Sequence, residues 1–505
     1  MKRAPVVTEP ADAEPEEPPS PSAALRNVRR IGYAILAVEL ICFFAWSALL
    51  YHRFDLTFDF ALYHQGWYEI AHGNLDPFNS LQSHSYWQDH SEFILWPLAL
   101  LYWIPPHDIN LLFIQDIGVV VAEAVAFTWM CELAQKYRPG KNDAAVLAGA
   151  GLVLLVANPF IWRSVSFDFH TETVAVAFLA LLARDLSKGR RRAWVWAALL
   201  LACGDVATTY VVALGIGAIL VARRTRLPGL ALAVIGVVAS ELIRLVNGDL
   251  GSPFWAYAYL EHPTTAPFGA GPMLKGLIHN PRLWVSQLWQ KRFYAWQNLS
   301  SSGLIGVGFV LILPLVVVML LTDSLAQGPL FAAPSFQSLP LYILVPAGTV
   351  AVLGWVARQQ RLLAAGLTAV VLAQALYWTA AYGPRTRENW LQVPSGTAHT
   401  LSLIEPRIPA SDEVIASQGV VGRFSSRTDI QAFFGPGPDP IPLNGTQTWF
   451  VVVPSHGIET ATPQQGMQLI AELSGRMHAT LIMHANGVWA FRWQPPRRQH
   501  SITLP

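Results

Sequence analysis

The chain has 505 residues, 53% hydrophobic and only 13% charged, with 34 Lys+Arg against 33 Asp+Glu and a formal net charge of +1. A soluble chain carries roughly 25% charged residues, so the composition excludes a soluble globular protein and describes a polytopic membrane protein. The balanced charge, with basic residues gathered at the ends of apolar runs, leaves no electrostatic footprint for nucleic acid.

Residues 1–30 are rich in Pro, Ala and Glu and hold too few large apolar side chains to bury; they are expected to form a disordered cytoplasmic tail. Arg26, Arg29 and Arg30 precede the first apolar run, near Ile31 to Tyr51, which lacks a small-residue cleavage site and reads as an uncleaved anchor. Further apolar segments fall near 109–131, 143–161, 172–186, 193–203, 206–222, 228–247, 303–322, 339–357 and 361–381. Cys42, Cys131 and Cys203 all lie in or beside such segments, as small buried hydrophobes and not as a disulfide framework or zinc knuckle.

Lys136 to Lys141, Arg184 to Arg192 and Arg223 to Arg226 mark three cytoplasmic turns. Between the second and third, Gly204-Asp205 interrupts the apolar run, so two short helices are expected to meet inside the protein. A hairpin of two half-helices around Pro314 keeps Arg358 and Arg361 cytoplasmic. The expected fold is an α-helical polytopic membrane protein of about eleven transmembrane helices over residues 31–382, with outer loops 52–108 and 248–302. Residues 383–505 turn soluble in composition, with strand-like runs at Val414–Ser417, Trp449–Pro454 and Ala479–Trp493, the last split by the hairpin signal Asn486-Gly487. With a helical pattern at 463–474, they are expected to form a small extracytoplasmic α/β domain.

The first outer loop holds the densest polar group: Asp55, Asp59, His64, then Asp89, His90 and Glu92, with Phe60, Tyr63, Trp67 and Ile70 at helical spacing between them. That spacing predicts a helix lying in the membrane interface, with acids at both ends of the loop. A carboxylate just outside the bilayer and partly desolvated has the pKa freedom to act as general base on a hydroxyl. Helix capping is the plainer reading of Asp55; Asp59 carries the chemical one, while Asp89 and His90 sit at the mouth of a short apolar dip or form a cap. In the turn between two spans, Arg163, Asp168, His170 and Glu172 crowd one helix entrance; Asp168 caps the following helix, or the group contacts substrate. His170 and Glu172 do not share a helical face, which makes a poor metal constellation. Asp205 either caps the second half-helix or serves a site at the break. Glu39, Glu123 and Glu241 read as structural. In the second outer loop Lys291 and Arg292 lie among Trp289, Phe293 and Trp296, a pattern for lipid phosphate or for interfacial snorkelling.

The order Phe54-Asp55, Phe58-Asp59-Phe60-Ala61-Leu62-Tyr63-His64-Gln65, then Asp89-His90-Ser91-Glu92-Phe93 and Pro97 to Tyr102, resembles the bacterial membrane proteins of domain of unknown function 2079. So do Asp168-Phe169-His170-Thr171-Glu172, the Gly204-Asp205-Val206 break, and Tyr259 to Pro263 ahead of Lys291-Arg292; the set runs in order from residue 50 to 455. That family is similar to the GT-C glycosyltransferases, polytopic enzymes that move a sugar from a polyprenyl-phosphate carrier to an acceptor outside the membrane. The resemblance implies Asp59 as catalytic base and Asp89 as a second acidic position near acceptor or donor phosphate. It also implies a polyprenyl-phosphate sugar donor, a cell-envelope glycan, lipid or protein as acceptor, hexosyl or pentosyl transfer, and residence in the plasma membrane.

Direct displacement at an anomeric carbon needs a base on the acceptor hydroxyl and positive charge by the departing phosphate, the part given to Arg163, Lys291 or Arg292. His64, His90, Asp168, His170, Glu172 and Asp205 complete the expected substrate contacts. Phosphate leaves readily, so no cofactor is expected; a divalent ion, if used, finds nitrogen donors in His64, His90 and His170. The alternative is a secondary transporter of a small or lipid-linked solute, for which broken helices and intramembrane acids are the usual parts. A non-catalytic scaffold is a third reading, although residues 383–505 show no phosphate loop, nucleophile elbow or ligand cluster.

Overall fold

The computed structural model of this protein describes residues 21–88, 91–137, 142–247, 253–260, 270–327, 335–386, 391–435, 440–455, 461–496 and 500–503. Helix α1 (Ala23–His52) opens on Ser22, whose hydroxyl accepts from the Leu25 amide at 3.2 Å; its 30 residues span about 45 Å, more than the hydrocarbon core requires. A folded loop follows, built from α2 (Phe58–Ala71), a ribbon of β1 (Phe78–Asn79) and β2 (His84–Ser85), and the single turn α3 (Leu95–Leu98). Helix α4 (Asn110–Tyr137) returns antiparallel to α1: the Tyr33 and Thr128 hydroxyls bond at 2.7 Å, and the Tyr51 hydroxyl donates to Asp108 at 3.4 Å, just before α4. Helices α5 (Asp143–Val156) and α6 (Pro159–Val165) meet at 44°, where the Asn158 side chain accepts from the Phe160 amide and Pro159 starts α6.

Helix α7 (Thr171–Ser187) is followed by α8 (Ala193–Leu201) and α9 (Asp205–Val221), joined through Gly204 at φ +117, a conformation a side chain resists. Helix α10 (Arg223–Asn247) lies along α9. Three short helices, α11 (Ala270–His279), α12 (Pro281–Gln290) and α13 (Arg292–Ser301), lead to α14 (Leu313–Leu325) and to the long α15 (Leu339–Gln359) and α16 (Arg361–Thr386). Among the described residues five helices are long and apolar enough to cross a membrane: α1, α4, α10, α15 and α16; the bent pair α5–α6 makes a sixth if counted as one span. The expectation of about eleven counted shorter pieces: α7 and α9 have 17 residues, α14 has 13 and α8 has 9, below the roughly 20 that span a bilayer.

The bundle has a basic end. There Arg184 and Lys188 hold Glu132 at 2.6 and 2.5 Å, Arg190 and Arg192 hold Asp185, Arg361 faces Asp143 at 3.6 Å, and Arg358 donates to the carbonyls of Lys136 and Tyr137. Segment 292–325 enters from the other end and returns to it. Helix α13 descends beside α15, the chain turns through Gly303 to Ile312, and α14 climbs along α9 until Asp323 again meets Tyr294, whose hydroxyl donates to it at 3.1 Å. The hairpin predicted around Pro314 is thus present but misplaced. Pro314 begins α14, because an N-terminal proline lacks only an amide that the helix leaves free, and the reversal lies before it.

Backbone approach at this reversal requires glycine. A Cβ on Gly217 of α9 would sit 1.9 Å from the Leu311 carbonyl oxygen, and one on Gly306 would sit 2.1 Å from that of Val345. Both partners are main chain and cannot swing aside, so Gly306→Ala is expected to destabilise by about 1–3 kcal/mol or more. A lowered unfolding midpoint in detergent checks this; an unchanged midpoint would mean that the reversal is looser than the packing indicates.

Residues 391–503 form a five-stranded sheet with strand order β4-β3-β6-β8-β7. Strands β3 (Glu413–Ser417), β4 (Ile430–Phe433) and β6 (Thr448–Val452) are parallel, while β7 (Thr480–Ala485) and β8 (Val488–Trp493) form an antiparallel hairpin at Asn486-Gly487 beside β6. A small ribbon pairs β5 (Ile441–Pro442) with β9 (Ser501–Ile502). Side chains alternate between the sheet's faces: Val414, Ala416, Trp449 and Val451 pack against α17 (Ser395–Ile404) and Phe54, while Ile415, Phe450, Val452 and Phe491 pack against α18 (Pro463–Ser474). The sheet is strapped to the α1–α2 connection. The Gly422 amide donates to the Leu56 carbonyl at 3.0 Å, Arg53 donates to the Val393 carbonyl at 2.8 Å, Ser80 and Ile430 exchange two bonds, and the Arg423 guanidinium stacks on Tyr51.

Candidate functional site

Helix α2 carries Asp59 in its first turn. Its N-cap residue, Thr57, makes no capping bond through its side chain; the cap comes instead from Asp168, 111 residues away. The buried Asp168 carboxylate accepts from the Thr57 amide at 3.0 and 3.1 Å, from the Thr57 hydroxyl at 2.5 Å and from the Phe60 amide at 3.1 Å. A carboxylate here satisfies amides that a helix start leaves open and lies at the positive end of the helix dipole. Asp168 therefore caps α2, not the helix that follows it in sequence. Asp55 points elsewhere, accepting from the Gln392 and Val393 amides. The apolar residues of α2 face protein: Phe60, Trp67 and Ile70 are buried against the connection before α4, and Ala61 packs with the C-terminal sheet.

Asp59 is paired with His170, Oδ2 to Nε2 at 3.5 Å, with the carboxylate side chain 35% exposed and the imidazole 7%. His170 Nδ1 lies 2.9 Å from the Asp168 carbonyl oxygen. A carbonyl only accepts, so Nδ1 carries a hydrogen, and the contact from Nε2 to the Asp59 carboxyl requires a second proton between the two groups. The ring is clamped by Phe336 at 3.6 Å between centroids and by Phe167 at 5.5 Å, and its amide donates to Gln115 Oε1. Asp59 is thus held by a fixed imidazole while its side chain stays 35% exposed.

Beneath this pair lies a second carboxylate. Glu92 is buried and accepts from the Tyr86 hydroxyl at 2.8 Å, Thr171 at 3.2 Å and Tyr63 at 3.4 Å, and it packs against Gly204 at the α8–α9 break. Glu172 faces the charges of His170, Glu92 and Asp205. Asp205 accepts from the Val206 amide at 2.7 Å at the start of α9. The break therefore stands at the end of the bundle opposite the basic one, facing the loop, and not at mid-depth.

The other expected residues are placed as follows. His64 is fully buried, stacked on Phe60, with Nδ1 at 3.0 Å from the Ser425 hydroxyl and Nε2 at 3.5 Å from Asp108; it joins the loop to the C-terminal sheet. Lys291 donates to the Asp323 carbonyl at 3.0 Å and to that of Ala326. Arg292 lies over Trp289 at the surface. Arg163 is half-buried, acts on Tyr342 through its charge, and has no hydrogen-bond or ion-pair partner among the described residues. Asp89 and His90 lie outside the described residues. The structure thus brings together Asp59, Asp168, His170, Glu172 and Asp205, keeps His64 apart, and adds Glu92, Gln115 and Phe336. Among the described residues no three His, Cys, Asp or Glu side chains gather as metal ligands.

Burial, with the Asp59 charge second, pushes the Asp168 carboxyl up to about 6 against the bonds from Thr57 and Phe60. Burial also pulls the His170 imidazole down, but the bond and charge of Asp59 outweigh it and hold it above the usual histidine value. Both groups bind protons more tightly folded than unfolded. Their contribution is present in acid and is lost as pH rises, for Asp168 between about 4 and 6 and for His170 through its raised value. Unfolding free energy is therefore expected to grow as pH falls from 7 towards 4, with Asp168 contributing up to about 3 kcal/mol. Denaturant titrations across that range check it, and Asp168→Asn should flatten the slope.

Two solved structures resemble this fold: crystal structures of ArnT from Cupriavidus metallidurans, one bound to undecaprenyl phosphate and one in the apo state. Each is 11% identical with a TM-score of 0.47, covering 90% of this chain and 97% and 98% of the respective ArnT chains. No curated protein matches the chain. The description of the predicted membrane proteins of domain of unknown function 2079 matches residues 50–489, which is most of the chain, and the chain belongs to that family.

Proposed function

We propose that this protein is a membrane glycosyltransferase that moves a sugar from a polyprenyl-phosphate donor to an acceptor outside the plasma membrane by direct displacement. The observation that carries the reading is the Asp59–His170 pair: a partly exposed carboxylate in the first turn of a capped helix, at the end of the bundle away from the basic turns. With the basic end cytoplasmic, as the positive-inside rule prefers, this pair and the C-terminal sheet are extracytoplasmic.

Asp59 accepts the proton of the acceptor hydroxyl as its oxygen bonds to the anomeric carbon; the bond from that carbon to the phosphate oxygen breaks, and polyprenyl phosphate departs with the electron pair. The half-buried Arg163, with no partner among the described residues, is the cation best placed to meet that phosphate. Lys291 and Arg292 stand where the α13–α14 hairpin enters the bundle and receive the lipid headgroup. The acceptor is a cell-envelope glycan, lipid or protein. The re-entrant α13–α14 hairpin and the Gly204 break favour one rival, a secondary transporter.

The test offers purified protein a panel of radiolabelled polyprenyl-phosphate sugars with an envelope acceptor extract, and Asp59→Asn as control. Label transfer by the wild type alone supports the proposal. Transfer that survives the substitution removes Asp59 as base, and solute uptake into liposomes without any transfer favours the carrier.

A further inference from the structure

Two carboxyl groups face each other at mid-length between α1 and α4, where the sequence alone reads Glu39 and Glu123 as structural. Glu39 is 6% exposed and Glu123 0%, and the two carboxyl groups are neighbours. Trp162 of α6 donates its indole N–H to Glu39 Oε1 at 3.0 Å. Among the described residues no N–H or O–H group reaches Glu39 Oε2 or either oxygen of Glu123, and no Lys, Arg or His stands within ion-pair distance of the two. Carboxylate oxygens only accept, so these neighbouring carboxyls can satisfy one another only when one of them carries a hydrogen. Two neighbouring carboxyls this deeply buried do not both ionise.

The same seam is polar towards the end that holds Asp59. Asp116, fully buried two turns along α4, stands against Ser47 of α1, and beyond it Tyr51 bonds the half-exposed Asp108. Residues seven apart on a helix share a face and stand about 10 Å apart, so Glu123 and Asp116 line one side of the α1–α4 contact, and Asp108, just before α4, continues it through its bond from Tyr51. An ionisable group inside a membrane-spanning helix is costly and is seldom kept for packing alone.

We propose that Glu39 and Glu123 form an intramembrane proton-binding site, one proton shared by two carboxyl groups, reached along the α1–α4 seam past Asp116. The site is separate from the Asp59 centre, and its test does not depend on what that centre does. Trp162, 42% exposed, stands between the pair and the outer surface of the bundle.

The full-length protein in lipid nanodiscs is treated at neutral pH with dicyclohexylcarbodiimide, an apolar reagent that adds the O–H of a protonated carboxyl across its C=N bond, and its peptides are mapped by mass. An adduct on Glu39 or Glu123 is expected, lost in the double variant Glu39→Gln/Glu123→Gln. Infrared spectra in H2O and D2O should show a protonated-carboxyl band that shifts on deuteration, is lost in Glu123→Gln, and exchanges more slowly in Asp116→Asn. Wild-type protein without adduct and without band overturns the proposal, as does protection from labelling by sodium ions with no such band, which would make the pair a cation site. Glutamine keeps the shape and can donate to the opposing carboxylate, and elution volume on size exclusion confirms that each variant folds; should Glu123→Gln fail there, Glu39→Gln reads the same band.

Discussion

Asp59→Asn is expected to lower sugar transfer about 10²- to 10⁴-fold, the usual worth of a positioned general base, while leaving the unfolding midpoint close to that of the wild type. Asparagine preserves the shape of the side chain and still meets His170 Nε2 through its amide oxygen, but it has no proton affinity to offer a hydroxyl. The loss should therefore fall on kcat more than on KM, since the group acts where the proton moves and not where substrate is held. His170 adds a second signature. Its proton is what binds it to Asp59, and Asp59 holds that proton beyond the ordinary histidine range, so activity should fall on the basic side as the imidazole loses it. His170→Gln should remove that basic limb with a smaller loss of rate. A pH–rate profile unchanged by His170→Gln would mean that the imidazole serves only as packing for Phe336 and Phe167.

What the sequence made legible were features whose cause is local. The first span follows from an uninterrupted apolar run, and the β7–β8 turn from Asn486-Gly487, whose residues tolerate φ of +49 and +77. The break before α9 is legible in Gly204-Asp205 for the same reason. The cap on α2 is not, because helix caps are normally looked for at the residue before the helix, and here the acceptor arrives from a turn 111 residues later. Aromatic residues at helical spacing after a span look alike whether lipid headgroups or protein cover them; only the C-terminal sheet lying on Phe54 and Ala61 settles that α2 is buried. Glu92 is legible as a member of the polar loop but not as a buried carboxylate beneath Asp59, since its donors Tyr63, Tyr86 and Thr171 come from separate parts of the chain. The pairing of Asp59 with His170 is legible only as two candidates in separate loops; their meeting is a property of the fold.

Asp168→Ala is expected to be the most damaging single change to stability at this end of the molecule. It removes the acceptor for two amides and a hydroxyl at a buried helix start, each left unsatisfied at about 1–3 kcal/mol. Because the three share one acceptor and the helix start can partly fray to find water, the sum falls to about 3–5 kcal/mol. Asp168→Asn keeps one carboxamide oxygen towards the Thr57 and Phe60 amides and should cost about 1–2 kcal/mol. The consequence for chemistry is indirect, since Asp168 positions the helix turn that bears Asp59. Amide hydrogen exchange should therefore accelerate at residues 57–60 in Asp168→Ala, and transfer should fall through kcat. In the double variant Asp59→Asn/Asp168→Ala the activity loss should be no greater than in Asp59→Asn alone, because a cap that acts only by placing Asp59 has nothing left to place. Additive losses would show that Asp168 reaches substrate by a route of its own.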